Sequence, residues 1–388
     1  MREPNGRPLV PRYGSGALSD VVPSVLAALG VHGFANPLGL DPLPGVCLLV
    51  VDGLGWELLR THPETAPILA AATGSGRSLT AGFPATTASS LGSLGTGLPS
   101  GQHGLVGYTF ALPGYDRPLN ALQWEFYGIG PEIQPGDDVL PERVQPEPTL
   151  IERAAAAGME MTLVGPAAHA RSGLTRAILR GGRYLGADTL EDLVLVVATA
   201  LMEGRTSVYA YYPYLDTYGH LRGVGSEEWL GHLEKVDQAV RSIADRLPTG
   251  FALVVTADHG MVNVAADDRV DVADVPALMQ GVRLLAGEAR ARHVYAVPGA
   301  EDEVLAAWRE SLGDRMWILP RDEAIDSGWF GPRVAPWVRS RIGDVVAAAA
   351  APMGVFQREV DPLQAGLIGH HGSLTAVEQL VPLLSIQP

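Results

Sequence analysis

Three aspartates stand at the ends of short apolar segments of this chain. Asp52 ends GVCLLVVD, Asp216 ends SVYAYYPYLD and Asp258 ends FALVVTAD. In an open α/β sheet, ligands bind in the crevice beyond the carboxyl ends of the strands. Three carboxylates at such ends therefore indicate one shared site rather than three separate surface positions.

Histidines follow two of these aspartates closely. His220 lies four residues after Asp216, so both could face one point on a helix, although a solvated turn would give the same spacing. His259 directly follows Asp258 and precedes a glycine that permits close backbone approach, which packing explains poorly. Asp52 alone could equally cap a following helix. The histidines therefore strengthen the aspartates as a metal-binding set.

A pair of histidines, His370 and His371, occurs in the late segment GLIGHHGS. Alone, this pair could belong to a plain loop. With the three aspartates and the two earlier histidines, however, one histidine of the pair completes a set of six ligand-type side chains, enough for two divalent cations with three ligands each. Two cations about 4 Å apart are the usual arrangement for in-line displacement at phosphorus. The set predicts phosphoryl-transfer chemistry.

The segment TTASSLGSLGTG offers a nucleophile for that chemistry. Thr86 and Thr87 precede a serine- and glycine-rich stretch that can begin a helix. Free backbone N–H groups at a helix start favour a bound anion such as phosphate. Without the ligand set, a threonine at this place would be an ordinary helix cap.

The apolar segments that carry these residues predict an α/β fold. Runs at 45–52, 160–165, 207–216 and 251–258 are continuously apolar, which is typical of strands in a covered, mostly parallel sheet. The clearest helix is predicted over 226–247, where apolar residues recur every three or four positions. A mostly parallel central sheet flanked by helices is therefore expected.

Two segments fit this alternation poorly. Residues 105–148 are rich in Gly, Pro and aromatic residues, and residues 264–345 contain strand and helix patterns of their own. Site-like residues return after the second segment, in GLIGHHGS. We therefore predict a catalytic core formed by residues 1–263 and 346–388, with an inserted cap subdomain at 264–345.

Composition excludes several classes of protein. With 47% hydrophobic and 18% charged residues, the chain is globular rather than disordered. A net charge of −15 disfavours binding to a nucleic-acid scaffold or an anionic membrane. The single cysteine, Cys47, allows no intrachain disulfide, no apolar run is long enough for a membrane span, and the N-terminus lacks a signal-peptide pattern. The expected location is the cytoplasm.

Five motifs together resemble the alkaline phosphatase superfamily, and within it most closely the type I phosphodiesterase/nucleotide pyrophosphatase family. They are, in order, VVDGLG, TASSLGSLGTGLPSGQHG, LDTYGH, TADHGM and GHHGS. The resemblance implies an alkaline phosphatase-like fold and two divalent cations, with Zn²⁺ expected and Mn²⁺ as the alternative. It implies that the ligands of one cation are Asp216, His220 and His371. It implies that the ligands of the other are Asp52, Asp258 and His259.

The same resemblance implies a nucleophile. Thr87 stands nine positions before Thr96 of a Thr-Gly pair, which matches the attacking residue of the superfamily, and Thr86 is the second choice. The attack would leave a phospho-threonine intermediate. Ser90 occupies the position of a family asparagine that contacts a phosphate oxygen, so Ser90 is expected to bind substrate in its place.

Other candidates come from their neighbourhood in the sequence. Tyr214 and Tyr218 flank the Asp216 motif and are predicted substrate contacts. His371 is preferred to His370 as the ligand because the last ligand of the family directly precedes glycine, and His370 is left to support it. His103, in SGQHG, is a further residue that could reach the site.

The predicted function is metal-dependent hydrolysis of phosphodiester or pyrophosphate bonds, with small nucleotide-like phosphate esters as substrates. A phosphomonoesterase or phosphonate hydrolase on the same core is one alternative. A noncatalytic protein that binds metal or phosphate is another. The segment TASSL lacks the C/S-x-P-x-R motif that sulfatases need, so sulfate ester hydrolysis is not expected.

Overall fold

A computed structural model describes residues 6–133, 136–204 and 206–386. The remaining residues of the predicted core, 1–5, 134–135, 205 and 387–388, lie outside the described residues. The strands are, in chain order, β1 (Val46–Val51), β2 (Arg77–Thr80), β3 (Thr109–Phe110), β4 (Leu119–Asn120), β5 (Glu125–Phe126), β6 (Thr162–Gly165), β7 (Arg183–Gly186), β8 (Ser207–Tyr212), β9 (Ala252–Thr256), β10 (Val262–Asn263), β11 (Arg269–Asp271), β12 (Val282–Glu288), β13 (Ala291–Ala296), β14 (Met316–Pro320), β15 (Val345–Ala349), β16 (Gly354–Phe356), β17 (Gly369–His370) and β18 (Leu380–Ile386).

Helices connect most of these strands. The α-helices are, in chain order, α1 (Val21–Ala28), α2 (Trp56–Thr61), α3 (Pro67–Ala72), α4 (Thr87–Thr96), α5 (Ser100–His103), α6 (Pro141–Val144), α7 (Leu150–Ala156), α8 (Gly173–Ile178), α9 (Leu190–Met202), α10 (Tyr214–Arg222), α11 (Glu227–Ala244), α12 (Glu301–Leu312), α13 (Arg321–Asp326), α14 (Pro362–Gly366) and α15 (Ala376–Gln379). Among the described residues, none of these helices is both long enough and apolar enough to cross a membrane.

The main sheet contains seven strands in the order β2-β18-β9-β1-β8-β6-β7. Strand β1 pairs in parallel with β8 and β9, and β6 pairs in parallel with β7 and β8. Strand β18 is antiparallel to both of its neighbours. All six residues of β1 are buried, because strands in the middle of a covered sheet have apolar surroundings on both faces. The prediction of a mostly parallel α/β sheet is confirmed.

One predicted strand is too long. The run 207–216 is a strand only as far as Tyr212, and helix α10 begins at Tyr214. Pro213 lies between them and has no N–H group to continue the strand, whereas proline suits the start of a helix. Asp216 therefore lies in the first turn of a helix and not at a strand end.

The strongest predicted helix is present as α11. It begins after Ser226, whose side chain accepts a hydrogen bond from the backbone N–H of Trp229 at 3.2 Å. The apolar stripe of this helix starts at Trp229 and is buried, including Leu233 and Val240. The helix ends at Ala244, three residues before the predicted end.

A second, antiparallel sheet is formed by segments that follow β9 in the chain. Its four strands have the order β12-β13-β15-β14, and Trp308 of α12 is buried in the separate apolar cluster beneath it. The sheet reaches Ala349, four residues beyond the predicted end of the cap, because β15 lies between β13 and β14. The division of the chain into a core and an inserted cap stays a prediction.

A buried ion pair joins this second sheet to the segment behind His371. Arg290, in the turn between β12 and β13, donates from two nitrogens to the two carboxylate oxygens of Glu378, each at 2.7 Å. Glu378 lies in α15 and also accepts from the backbone N–H of Ser373 at 3.0 Å. Paired, fully hydrogen-bonded charges of this kind hold two segments in one geometry.

Candidate active site

The fold brings the six predicted ligand residues to one edge of the main sheet. They lie after β1, in α10, after β9 and after β17; four are buried, and Asp216 and His220 are partly exposed. In chain order they are Asp52, Asp216, His220, Asp258, His259 and His371. They form two clusters, and in each cluster one ligand atom from every residue lies within 4.8 Å of the others.

The first cluster combines Asp216, His220 and His371. The Nε2 atom of His220 lies 3.3 Å from one carboxylate oxygen of Asp216 and 3.2 Å from Nε2 of His371. The same nitrogen of His371 lies 3.8 Å from the other oxygen of Asp216. Residues from α10 and from a loop more than a hundred positions later thus converge on one point.

The second cluster combines Asp52, Asp258 and His259. The Nε2 atom of His259 lies 3.3 Å from Oδ1 of Asp52 and 3.3 Å from Oδ2 of Asp258. The other oxygen of Asp258 accepts two backbone hydrogen bonds at 3.0 Å, from Gly53 and from His259. Gly53 has a φ of 75°, and a Cβ there would lie 3.1 Å from Asp216, so glycine lets the two clusters approach each other.

Backbone carbonyl groups orient all three histidines. The Nδ1 atoms of His220, His259 and His371 lie 2.7, 3.0 and 2.9 Å from a carbonyl oxygen. These oxygens belong, in that order, to Gly369, Gly260 and Ala85. Because a carbonyl group only accepts, each Nδ1 carries the proton and each Nε2 turns a lone pair towards the carboxylates. Metal-ligating histidines have this arrangement.

Several buried atoms of the clusters lack a hydrogen-bond partner among the described residues. They are Oδ1 of Asp52, Oδ1 of Asp216 and Oδ2 of Asp258. An unpaired buried carboxylate is costly, and two facing nitrogen lone pairs add repulsion. Carboxylate oxygens and imidazole nitrogens that converge on two points are the donors that Zn²⁺ and Mn²⁺ accept. The residues therefore fit two divalent cations.

Burial also shifts the protonation equilibria of the clusters. Burial, together with the nearby carboxylates of Asp258 and Asp216, raises the pKa of Asp52. Burial raises the pKa of Asp216 as well, against the opposing effect of His220. Burial, followed by His259 and His220, lowers the pKa of His371. A bound cation would favour the ionised carboxylates and the neutral imidazole, which are the forms that ligate metal.

Of the two candidate nucleophiles, Thr87 adjoins a cluster. Thr87 is the first residue of α4, and its hydroxyl oxygen lies 3.2 Å from Nε2 of His259. Since that nitrogen carries a lone pair, the hydroxyl donates to it. Thr86 precedes the helix and directs its side chain towards Glu288. The backbone N–H of Ala85 donates to Gly372 at 2.9 Å, which joins the nucleophile segment to the His371 loop.

The remaining buried candidates lie beside the clusters without joining them. Ser90 is one turn after Thr87 in α4, and its hydroxyl is buried without a partner among the described residues. His103 lies 3.4 Å from the hydroxyl of Ser93, and burial lowers its pKa to about 3. The His370 ring packs edge-on against that of His220, with centroids 6.2 Å apart, and His370 is a member of neither cluster. None of these three residues belongs to a cluster, and the role of Ser90 in substrate binding stays a prediction.

The two tyrosines predicted as substrate contacts lie elsewhere. The ring of Tyr214 packs edge-on against Tyr212, with centroids 5.5 Å apart, and Tyr218 stacks on His232 at 3.9 Å. Neither tyrosine lines the cavity beside the clusters. Because α10 begins directly after Pro213, the helix rotates both side chains away from the direction that an extended chain would give them.

The sequence did not single out Tyr211, which touches the site. Its hydroxyl donates to Oδ2 of Asp52. Tyr211 lies two residues after Tyr209 in β8, and alternate residues of a strand point to the same face. That alternation was the available signal, but the partner of the hydroxyl depends on the neighbouring strand β1.

A cavity of about 250 Å³ opens beside both clusters. Asp52, Thr87 and Asp216 lie on its wall, which is otherwise lined mainly by apolar, aromatic and hydroxyl side chains. Leu122, from the turn between β4 and β5, contributes one side of the wall. No Lys or Arg of the described ranges lines this cavity, and burial lowers the pKa of His169, its one histidine.

A family model named type I phosphodiesterase / nucleotide pyrophosphatase matches residues 46–374. The chain belongs to this family. The match spans both clusters, Thr87 and the second sheet. This type I phosphodiesterase family member is therefore a metal-dependent hydrolase of phosphoester bonds.

Solved structures share the fold of this family member. Murine ectonucleotide pyrophosphatase / phosphodiesterase 5 matches with a TM-score of 0.69 and 18% identity, over 89% of this chain and 88% of that one. An inactive threonine-to-alanine variant of the murine protein, in complex with AMP, matches with a TM-score of 0.68 and 17% identity, over 89% and 88%. Phosphonoacetate hydrolase from Sinorhizobium meliloti 1021, in complex with phosphonoformate, matches with a TM-score of 0.66 and 19% identity, over 89% of this chain and 90% of that one.

These likenesses confirm the predicted alkaline phosphatase-like fold. At such identities they establish the fold and not the substrate. No curated protein matches the sequence of the chain.

Proposed function

We propose that this enzyme cleaves a phosphodiester or pyrophosphate bond of a small, nucleotide-like substrate, with Thr87 as the nucleophile. The observation that carries the proposal is the position of the Thr87 hydroxyl, 3.2 Å from Nε2 of His259 at the edge of two three-residue clusters. In the proposal, Asp216, His220 and His371 hold one cation. Asp52, Asp258 and His259 hold the other.

The proposed cations are Zn²⁺, with Mn²⁺ as the alternative. Each cluster offers both carboxylate oxygen and imidazole nitrogen, a donor mixture that suits Zn²⁺ and that Mn²⁺ also accepts. When bound, two divalent cations supply positive charge that favours an ionised hydroxyl and offsets the charge of the phosphate group.

In the proposed reaction, Thr87, the start of α4 and Ser90 have different roles. The Thr87 oxygen attacks phosphorus, the bond to the leaving oxygen breaks, and Thr87 carries the phosphoryl group with its remaining ester substituent. The N-terminus of α4 favours the negative charge of that group. Water then cleaves the bond between Thr87 and phosphorus and restores the hydroxyl. The unpartnered hydroxyl of Ser90 is the proposed donor to a phosphate oxygen.

The lining of the cavity favours a substrate whose phosphate carries an uncharged substituent. Within the described part of the chain it presents no Lys or Arg side chain, so a second anionic group there would be desolvated without a partner. A nucleoside or another neutral organic group meets apolar and hydroxyl side chains instead. The complex of the murine relative with AMP supports the same substrate class.

A side-by-side assay of esters tests this proposal. We expect bis-p-nitrophenyl phosphate and a dinucleotide to be hydrolysed about tenfold or more faster, in kcat/KM, than p-nitrophenyl phosphate or phosphonoacetate, because the neutral group occupies the cavity. The assay compares all four substrates at the same pH and the same added Zn²⁺ concentration.

A higher kcat/KM for p-nitrophenyl phosphate or for phosphonoacetate than for the diesters would contradict the proposal. A faster monoester would indicate a phosphomonoesterase, and faster phosphonoacetate would indicate a phosphonate hydrolase, which the fold shared with phosphonoacetate hydrolase makes the second candidate. Turnover of none of the four substrates would leave a noncatalytic binding protein. The cytoplasmic location inferred from the sequence stays a prediction.

A further inference from the structure

Among the described residues, Tyr211 is the one aromatic residue whose hydroxyl contacts a cluster residue. It lies near the end of β8, directly beside β1, and the register pairs Tyr211 with Val50. This pairing places the phenol beside Asp52, which follows β1. The hydroxyl donates to Oδ2 of Asp52, and the ring lines the cavity.

The hydrogen bond leaves Asp52 with one oxygen for a cation. Oδ1 of Asp52 is buried, has no partner among the described residues and lies 3.3 Å from Nε2 of His259. Asp258 has the same division, since two backbone N–H groups occupy its Oδ1 and leave Oδ2 free. In each carboxylate of this cluster, therefore, one oxygen accepts hydrogen bonds from the protein and the other is available to a cation.

The two carboxylates differ in what holds them. Asp258 is oriented by the backbone of Gly53 and His259, which no substitution of a side chain removes. Asp52 is oriented by a side chain, so its geometry depends on one phenol hydroxyl. Residues that form hydrogen bonds to metal ligands orient those ligands and affect the affinity of the site for metal.

We propose that Tyr211 is a positioning residue that presents Oδ1 of Asp52 to the cation of the second cluster and thereby sets the affinity of that cluster. This inference rests on the proposed two-cation site. Without the phenol, Oδ2 loses a charge-assisted hydrogen bond in a buried place and Asp52 is free to turn. Tyr211 donates no hydrogen bond to Asp216 among the described residues, so the first cluster is expected to keep its affinity.

The neighbouring Tyr209 provides a matched control. It lies on the same strand, lines the same cavity and is buried, but its hydroxyl has no partner among the described residues. Tyr209→Phe and Tyr211→Phe therefore remove the same atom from the same cavity. Only Tyr211→Phe removes a contact to a cluster.

The experiment titrates metal-free protein with Zn²⁺ by calorimetry, in the presence of a competing chelator. We expect wild type and Tyr209→Phe to bind two cations with the same two affinities. We expect Tyr211→Phe to lose about 10–100-fold in one of the two affinities and to keep the other. Circular dichroism checks that each variant is folded, and the visible spectrum of Co²⁺-loaded protein should change only for Tyr211→Phe.

Three results would overturn the inference. They are an unchanged titration for Tyr211→Phe, an equal loss for Tyr209→Phe, and a wild type that binds no cation. Hydrolysis separates this inference from the proposed function. A wild type that binds two cations but cleaves no phosphate ester refutes the function alone, whereas an active enzyme with an unchanged Tyr211→Phe titration refutes the positioning role alone.

Discussion

Thr87→Ala lowers the turnover of a phosphodiester by about 10³-fold or more, because the attacking oxygen is removed while the rest of the site remains. The two cations stay bound, since Thr87 belongs to neither three-residue cluster. The measurement is kcat with bis-p-nitrophenyl phosphate, together with the metal content of the purified variant. Retained turnover would remove Thr87 from the reaction.

Thr86→Ala is the control for this prediction. It deletes the same hydroxyl and methyl groups one residue earlier, from a side chain that faces Glu288. We expect its kcat to stay much closer to that of the wild type. If Thr86→Ala instead causes the large loss and Thr87→Ala does not, the nucleophile is the second choice that the sequence left open.

Asp216→Ala removes a cation and the activity together. One carboxylate oxygen of Asp216 lies 3.3 Å from Nε2 of His220, and the other lies 3.8 Å from Nε2 of His371. Loss of this carboxylate leaves only the two histidine nitrogens, which are 3.2 Å apart, as possible ligands of that cluster. We expect the metal content to fall from two cations per chain to about one, and kcat to fall by about 10³-fold or more, as when a member of a catalytic unit is removed.

Asp245→Ala separates this effect from a general change of charge. Asp245 is exposed, directly follows helix α11 and lies in neither cluster. We expect it to retain both cations and wild-type turnover. A fully loaded and active Asp216→Ala variant would show that the first cluster does not take part in the reaction.

Continuity of apolar residues made the centre of the fold predictable. Strand β1 is buried on both faces, so its sequence is uniformly apolar up to Asp52, and β9 has the same form up to Asp258. Acids and histidines directly after such strands must lie at the same sheet edge. Local sequence therefore predicted where these acids and histidines lie in the fold, whereas their role as metal ligands stays a prediction.

Features that depend on partners far along the chain were not predictable in the same way. The hydroxyl of Tyr211 meets Asp52 only because β8 pairs with β1, 159 positions away. Tyr214 and Tyr218 are near Asp216 in sequence, yet the helix that begins after Pro213 turns them towards other aromatic rings. Nearness in sequence gave the position of the motif but not the direction of its side chains.

The extent of the second sheet is a further case. Residues 345–349 are a short apolar run that resembles a core strand, but β15 completes the antiparallel sheet between β13 and β14. Its partners are set by pairing across tens of residues and not by its own composition. The composition of this run therefore did not predict its place in the second sheet, and the division into core and cap stays a prediction.

The central claim is that hydrolysis passes through a covalent bond between Thr87 and phosphorus. Its most direct test is the stereochemical course at phosphorus, measured with a chiral phosphorothioate diester hydrolysed in ¹⁸O-labelled water. Each in-line displacement inverts the configuration, so two successive displacements retain it. We predict net retention. Net inversion would mean that water attacks phosphorus directly, and it would contradict the role of Thr87 as the nucleophile.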